Sequence, residues 1–261
     1  MARKIVVTSG KGGVGKTTVT ACLGGALADA GRKVVLIDAD IGLNNLDVVL
    51  GIENKVVYDI LDVIKCRCRI KQALVRDFDR PELFVLPSAK LSDSPLITAQ
   101  AFRNIVSSLD KYFDYVIIDC PAGIDNGFHR AVSGAEQALV VTTPSVSAIR
   151  DADKVFNLLG GYSLSSADLV VNRIRHDMVR RGEMMSAGDI SRLLRAPVAG
   201  IIPEDDNVSL YSGIGRLPVN SASATAFYDL ARSMETGQPC LGEGASYRRE
   251  SLFGRLKRIF R

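Results

Sequence analysis

The chain has 261 residues, 47% of them hydrophobic and 24% charged, which suits one large α/β domain or two small ones with a sizeable core. No apolar run approaches the roughly 18 residues of a membrane span, and the stretch before the first strand is too short for a signal or transit peptide, so a cytoplasmic protein is expected. The net charge of +4 is unevenly placed: from Tyr247 to Arg261 six Arg or Lys stand against one Glu, leaving −1 on the rest of the chain, an asymmetry that suggests an interacting tail.

Lys4 to Ser9 is short, apolar and β-branched, and reads as a buried strand. Gly10-Lys11-Gly12-Gly13-Val14-Gly15-Lys16-Thr17-Thr18 follows and satisfies the phosphate-loop pattern through Gly10, Gly15, Lys16 and Thr17. Val19 to Ala30 then carries Leu23, Ala26, Leu27 and Ala30 at helical spacing and stops at Gly31, a C-cap signal. Strand, glycine loop and helix together form the context this pattern needs. Glycines let backbone N–H groups curl around phosphate oxygens, and the helix N-terminus adds partial positive charge. Lys16 would reach the β- and γ-phosphates, and Thr17 would offer its hydroxyl to Mg²⁺.

Lys33 to Asp40 reads as a buried strand ending in two acids, and residues 56–75 as a helix through Val57, Ile60, Leu61 and Ile64. Leu83 to Leu86 is a strand stopped by Pro87, and Leu96 to Leu109 an amphipathic helix. Tyr115 to Asp119 is a buried strand ending in an acid, and Ala138 to Thr142 another strand. A helix over Ser147 to Leu159 precedes strands at Leu169 to Asn172 and Val198 to Ile202, with helices at about 186–195 and 222–235. Apolar strands alternating with amphipathic helices predict an α/β fold: a doubly wound, mainly parallel sheet with helices on both faces and right-handed crossovers. The expected organisation is a P-loop ATPase domain over 1–235, a flexible linker over 236–246 and a basic amphipathic helix over 247–261; Gly237, Pro239, Gly242 and Gly244 mark the linker.

Ligands of doubly wound folds bind at the carboxyl ends of strands. Asp38, Asp40 and Asp119 all stand there. Each alone could cap a helix or form a turn, but three of them in a P-loop chain favour a Mg²⁺-nucleotide site. Asp119 fits the residue that holds the metal, directly or through water. Asp40 is placed to orient an attacking water. Asn172 ends its strand with an amide that matches adenine N6 and N7, though an ordinary turn residue has the same signature. Five cysteines (Cys22, Cys66, Cys68, Cys120 and Cys240) are odd in number and scattered. Cys66-Arg-Cys68 lacks common zinc spacing, and His129 and His176 are distant in sequence, so the thiols read as reduced and structural.

In the tail, Leu252, Phe253, Leu256, Ile259 and Phe260 fall on one helical stripe, with Arg255, Lys257, Arg258 and Arg261 on the other side. This is the pattern of a helix lying in the plane of an anionic membrane surface.

Lys11 lies inside the loop, and in this the chain resembles the deviant Walker A ATPases of the MinD/ParA type. Asp38-Ala-Asp40-Ile-Gly-Leu-Asn-Asn45-Leu-Asp47 resembles their switch I, and Asp119-Cys-Pro-Ala-Gly123 their switch II. Val171-Asn172-Arg173 and Ile202-Pro203-Glu204-Asp205 resemble their adenine-contacting segments. The resemblance covers essentially the whole chain. It implies Mg²⁺-dependent ATP hydrolysis that is weak alone and stimulated by membrane and partner. It also implies an ATP-driven homodimer in which Lys11 reaches the neighbouring subunit's phosphates, and septum positioning at the cytoplasmic face of the bacterial inner membrane. The partners it implies are a division inhibitor of the MinC type and an activator of the MinE type. It places partner contacts at Asn45 and at Arg150, Asp151, Asp153 and Lys154 on the helix after Thr142-Thr143-Pro144. Metal contacts fall to Thr17, Asp38 and Asp119, nucleotide contacts to residues 10–18, Asn172, Arg173, Pro203, Glu204 and Asp205, and catalysis to Lys11, Lys16 and Asp40. Cys120 stands where that family often has another small residue. A ParA-like DNA-segregation ATPase shares the loop and both switches, and a MinD-related flagellar-number regulator also carries an amphipathic tail. The near-neutral body disfavours the first, so no specific nucleic acid is expected. The early start of the loop disfavours the second.

Overall fold

The computed structural model describes residues 1–42, 45–89 and 97–238. In chain order the elements are β1 (Arg3–Thr8), α1 (Lys16–Asp29), β2 (Val34–Asp38), α2 (Leu46–Val49), α3 (Ile60–Ile64), α4 (Ile70–Ala73), β3 (Val75–Arg76), β4 (Leu83–Leu86), α5 (Ala99–Leu109) and β5 (Tyr115–Asp119). There follow α6 (Asn126–Ser133), β6 (Gln137–Thr142), α7 (Val146–Leu159), β7 (Ser166–Ile174), α8 (His176–Arg181), α9 (Ala187–Leu194), β8 (Val198–Pro203), α10 (Asp206–Ser212) and α11 (Ala222–Thr236). The strands form one sheet in the order β3-β4-β2-β5-β1-β6-β7-β8, parallel throughout except for β3, which pairs antiparallel with β4. The doubly wound sheet expected from the alternation is therefore present.

The sheet is covered on both faces because alternate residues of each central strand serve two cores. Val6, Val35, Ile37, Val116 and Ile118 join Phe102 of α5, Phe128 of α6, Ala152 of α7 and Ile190 of α9. Ile5, Val7, Val34, Leu36 and Ile117 join Leu23 and Leu27 of α1 with Phe227 and Leu230 of α11. Each fully buried Leu, Ile or Phe contributes at most about 1.5–3 kcal/mol.

Helix α1 is the pivot of the second core. It is buried from Val19 through Ala28, so no solvent stripe remains until its last turn. A side chain at Gly24 would strike Leu36, and one at Gly25 would strike Leu217, so the two glycines let α1 sit close on the sheet and on the loop before α11. It ends as its Gly31 signal predicts: Gly31 is left-handed at φ +81°, its N–H donates to Ala28 and that of Arg32 to Leu27, a Schellman arrangement. The helix starts earlier than the apolar spacing indicated, at Lys16, because the loop feeds directly into its first turn.

The single helix expected over 56–75 is a correction. The Asp59 carboxylate caps α3 by accepting from Leu61 and Asp62 N–H at 2.7 and 3.1 Å. Cys66, left-handed at φ +55°, then ends it. Only Ile60 and Leu61 of α3 are buried, too few to hold a longer helix, and Val75–Arg76 leave the stretch to pair with β4. Helices α2, α6, α8 and α10 carried no clear period in sequence because they run only one or two turns. β2 is shorter than expected, and β7 longer, through Ile174. Leu96, most of the linker and the whole 247–261 segment lie outside the described residues. Among the described residues no helix is long and apolar enough to cross a membrane.

Candidate nucleotide site

Residues 10–18 join β1 to α1 at the carboxyl end of the sheet. Gly13 and Gly15 take φ +77° and +97°, which an L side chain rarely adopts. A side chain on Gly15 would collide with the Asn172 amide, and one on Gly10 would collide with the backbone of Asp151 in α7. The loop is thus clamped from two sides. Asn172, buried two residues before the end of β7, donates from Nδ2 to the Val14 carbonyl at 2.8 Å, and its Oδ1 accepts from Arg173 N–H at 2.9 Å. One N–H and one lone pair of that amide are left for an adenine edge. Arg173 is exposed and left-handed at φ +56°, at a register shift between β7 and β8; a strained, non-glycine backbone of this kind concentrates at ligand sites.

Behind the loop stand the strand-end acids. Asp38 and Asp119 are register partners on β2 and β5, 2% and 1% exposed. Burial, and then the charge of Asp119, push the Asp38 carboxyl up to about 8, against the N–H bonds it accepts from Leu46 and Asp40. Burial also raises Asp119 to about 6, opposed by hydrogen bonds from Thr17 and Thr20 and by the Lys16 charge. Two neighbouring buried carboxylates with weakened acidity are a donor set that a divalent cation would relieve, and the Thr17 hydroxyl lies on the same side. Among the described residues no cluster of three His, Cys, Asp or Glu is present, so phosphate, water and Thr17 would complete such a coordination sphere. Mg²⁺ fits this oxygen-only pair, since it binds through one or two carboxylates plus phosphate oxygens.

Lys16 is buried between Asp40 and Asp119 and makes no ion pair within 4 Å among the described residues. Asp40 is half-buried; desolvation raises its carboxyl and Lys16 pulls it back. Lys11 is exposed, and its ammonium donates to the Ser147 hydroxyl at 3.2 Å at the start of α7. Thr18 follows Thr17 in the first turn of α1. Gly12 is exposed.

The second adenine-type segment is partly occupied by structural work. Pro203 ends β8 beside Ile174, and Glu204 N–H donates to the Ile174 carbonyl at 3.0 Å. Burial disfavours the Asp205 charge, but the Ser223 hydroxyl and amide and the Asn207 amide outweigh that and hold the carboxyl well below the usual range. Asp205 thereby fastens α10 to the start of α11, and what it offers a base is the backbone around it.

On α7, Ala148, Ile149, Ala152 and Val155 face the core, while Arg150, Asp153 and Lys154 are exposed and Lys154 pairs with Asp151 at 3.1 Å. Asn45, before α2, is exposed; Leu43 and Asn44 lie outside the described residues. Two site residues, and one contact of a residue already assigned to the loop, escaped the reading of the sequence. Thr20 donates to Asp119 at 3.2 Å, Ser147 accepts from Lys11, and Gly10 receives α7. Thr20 was findable, being one helical turn beyond Thr17; the other two depend on α7 folding back over the loop. A cavity of about 290 Å³ lies at the other end of the sheet, between Arg3, Gln137, Asp168, Val198 and Met234. It is remote from this chemistry.

Residues 5–219 match the CobQ/CobB/MinD/ParA nucleotide binding domain. The chain is 48% identical over 239 residues to the septum site-determining protein MinD of Synechocystis, covering 90% of each. Among solved structures it resembles a chain of the MinC:MinD cell division complex of Aquifex aeolicus, with a TM-score of 0.84 and 44% identity over 90% of this chain and 96% of that one. It also resembles the septum site-determining protein MinD of Pyrococcus horikoshii complexed with Mg-ADP, with a TM-score of 0.81 and 30% identity over 90% and 96% of the two chains.

Proposed function

The chain belongs to the CobQ/CobB/MinD/ParA nucleotide-binding family, and from that premise we propose that it is a Mg²⁺-dependent ATPase that determines the site of the division septum. The relatives that support this assignment are septum site-determining proteins over nine-tenths of the chain. The observation that carries the chemistry is the buried Asp38–Asp119 pair beside Lys16 and the glycine loop.

Residues 10–18 cradle the phosphates through backbone N–H groups, with Lys16 supplying positive charge opposite the transferred phosphoryl group. Asp38, Asp119 and Thr17 hold Mg²⁺, which when bound neutralises charge on the phosphate oxygens. Asp40 orients the attacking water, close enough to Lys16 for each to feel the other's charge. Asn172, Arg173 and the Pro203–Asp205 backbone border the adenine. Lys11 leaves Ser147 to reach the phosphates of a second copy, so that ATP closes a homodimer. Arg150, Asp151, Asp153, Lys154 and Asn45 form the surface for a MinC-type division inhibitor and a MinE-type activator; a MinC:MinD complex among the similar structures supports the first. Residues 247–261 bring the dimer to the cytoplasmic face of an anionic membrane, and the linker over 236–246 tethers them.

Phosphate release tests the reading. Lys16→Ala is expected to cut Mg²⁺-ATP hydrolysis by about 10²-fold or more. Asp40→Ala is expected to retain ATP binding and lose turnover to a similar degree. Wild-type turnover by Lys16→Ala would sink the assignment of the loop, and wild-type turnover by Asp40→Ala would remove Asp40 from the water's path.

A further inference from the structure

The end of the sheet opposite the nucleotide loop carries a cluster of cations that the ATPase chemistry does not use. Lys33 immediately precedes β2, and Tyr112 and Phe113 lie two to three residues before β5, so these residues mark the amino ends of the strands. Phe84 and Phe113 meet edge to face at 5.5 Å, with the Lys33 ammonium 5.8 Å from each ring and the Arg76 guanidinium 5.7 Å from Phe84. Next to Phe113, the Tyr112 ring carries Lys71 at 4.4 Å and Lys111 at 5.1 Å. All four cations are exposed, and among the described residues none makes an ion pair.

Among the described residues, the nearby acids make no ion pair with these four cations. Asp114 accepts from the Lys33 backbone N–H at 2.8 Å, Asp110 pairs with Lys4 at 2.9 Å, and Asp62 pairs with Arg67 at 3.2 Å. Arg69 and Lys65, both exposed, extend the positive charge along the α3–α4 connection. The ring faces hold these exposed charged ends, and Arg76 Nε also donates to the Pro81 carbonyl at 2.6 Å, so the cluster is held in place rather than merely solvated.

The same end of the sheet is where the chain leaves for its basic tail. Arg3, at the start of β1, donates to the Met234 carbonyl near the end of α11, and Glu235 pairs with Arg32 at 2.6 Å, one residue from Lys33. Gln238, the last described residue, is three positions beyond that ion pair. A five-residue strand spans about 17 Å, so the cluster and the strand-end acids lie at opposite ends of the domain.

We propose that Lys33, Lys71, Arg76 and Lys111 are a second contact with anionic lipid, on the domain itself. This rests on the reading of residues 247–261 as membrane-binding. Lipid fits better than nucleic acid because the cluster adjoins the point from which an amphipathic basic segment departs. The tail supplies insertion, and the cluster supplies attraction without insertion. A cation held near an anionic leaflet contributes about a fivefold gain in partition.

The test is co-sedimentation of the full chain, with Mg²⁺-ATP, on phosphatidylglycerol–phosphatidylcholine vesicles across a salt series. Three proteins are compared with wild type: Lys33→Gln/Lys71→Gln/Arg76→Gln/Lys111→Gln, the milder Lys71→Gln/Lys111→Gln, and Phe253→Asp. The fourfold variant is expected to keep its basal ATPase rate in solution, bind vesicles at least about tenfold more weakly and show a shallower salt dependence. The double variant is expected to lose about threefold or more, and serves as the readout if the fourfold chain does not fold. If Phe253→Asp detaches while the fourfold and double variants pellet like wild type, the cluster is not a lipid contact although the tail reading stands. If Phe253→Asp pellets like wild type, the tail reading fails and this inference with it. Loss of retention on a DNA duplex by the fourfold variant, with vesicle binding intact, would assign the cluster to nucleic acid and overturn the proposal.

Discussion

Asp38 and Asp119 set the pH behaviour of the nucleotide-free chain. Both carboxyls lie above the ordinary 3.8, at about 8 and about 6, because burial disfavours their charged forms, aided by the charge of Asp119 at Asp38 and of Asp40 at Asp119. Between pH 4 and 8 the native state therefore holds more protons than the unfolded chain, and stability falls as pH rises through the folded values. Bound Mg²⁺ needs both groups ionised and reverses this cost, so cation binding should release protons and tighten with pH. The expected outcome is a nucleotide-free melting temperature lower at pH 8 than at pH 6, with a larger stabilisation by Mg-ADP at pH 8. Asp38→Asn should abolish most of the pH dependence. Equal Mg-ADP shifts at both pH values would separate these carboxylates from the metal.

At the scale of elements, the contact between Gly10 and α7 matters most, because it joins the phosphate loop to the helix whose exposed face is proposed for partners. The Asp151 backbone sits where a Gly10 side chain would be. Gly10→Ala must push α7 away from the loop or distort the loop itself, at a cost of about 1–3 kcal/mol. For a domain of this size that corresponds to a drop of roughly 2–12 °C in melting temperature. The same variant is expected to weaken both Mg-ADP binding and capture of a MinC-type partner, although position 10 touches no partner. Calorimetry and a pull-down check this; lost nucleotide affinity with intact partner binding would show that α7 does not transmit the state of the loop.

At the scale of the molecule, nucleotide, dimer and membrane should form one linked equilibrium. Lys11→Ala is expected to reduce ATP-dependent dimerisation at least about tenfold, as removal of a charge-assisted contact from an interface would. Analytical ultracentrifugation with ATP reads this directly, and an undiminished dimer would confine Lys11 to its own subunit. The five apolar side chains of the tail would gain at most on the order of 7–15 kcal/mol if fully buried, against about 1–2 kcal/mol per residue to order the backbone. One tail should be marginal, and two on a dimer should gain avidity of roughly 10²–10⁴. Phe253→Asp should therefore detach the chain from phosphatidylglycerol vesicles while leaving ATP binding intact. Wild-type chain that pelleted equally with ADP and ATP would remove the dimer from the mechanism.

The sequence by itself determined the parts whose chemistry is local. The glycine loop needs backbone freedom at Gly13 and Gly15, and β2 and β5 announce themselves as apolar runs stopped by acids. Gly31 marked the end of α1 through a left-handed cap that only nearby backbone groups satisfy. Where local signals compete, as in the 56–75 stretch, the outcome passed to tertiary pairing: β4 took Val75–Arg76, and an Asp59 cap with a left-handed Cys66 closed α3. The sheet order was likewise undetermined locally, and with it the adjacency of Asp38 and Asp119, because strands far apart in sequence become neighbours only through crossovers. The clamp of Asn172 and Asp151 on the loop and the gathering of Lys33, Lys71, Arg76 and Lys111 around three rings depend on the same closure. Periodicity reports which face of an element is apolar; which element that face meets is decided by packing over the whole chain.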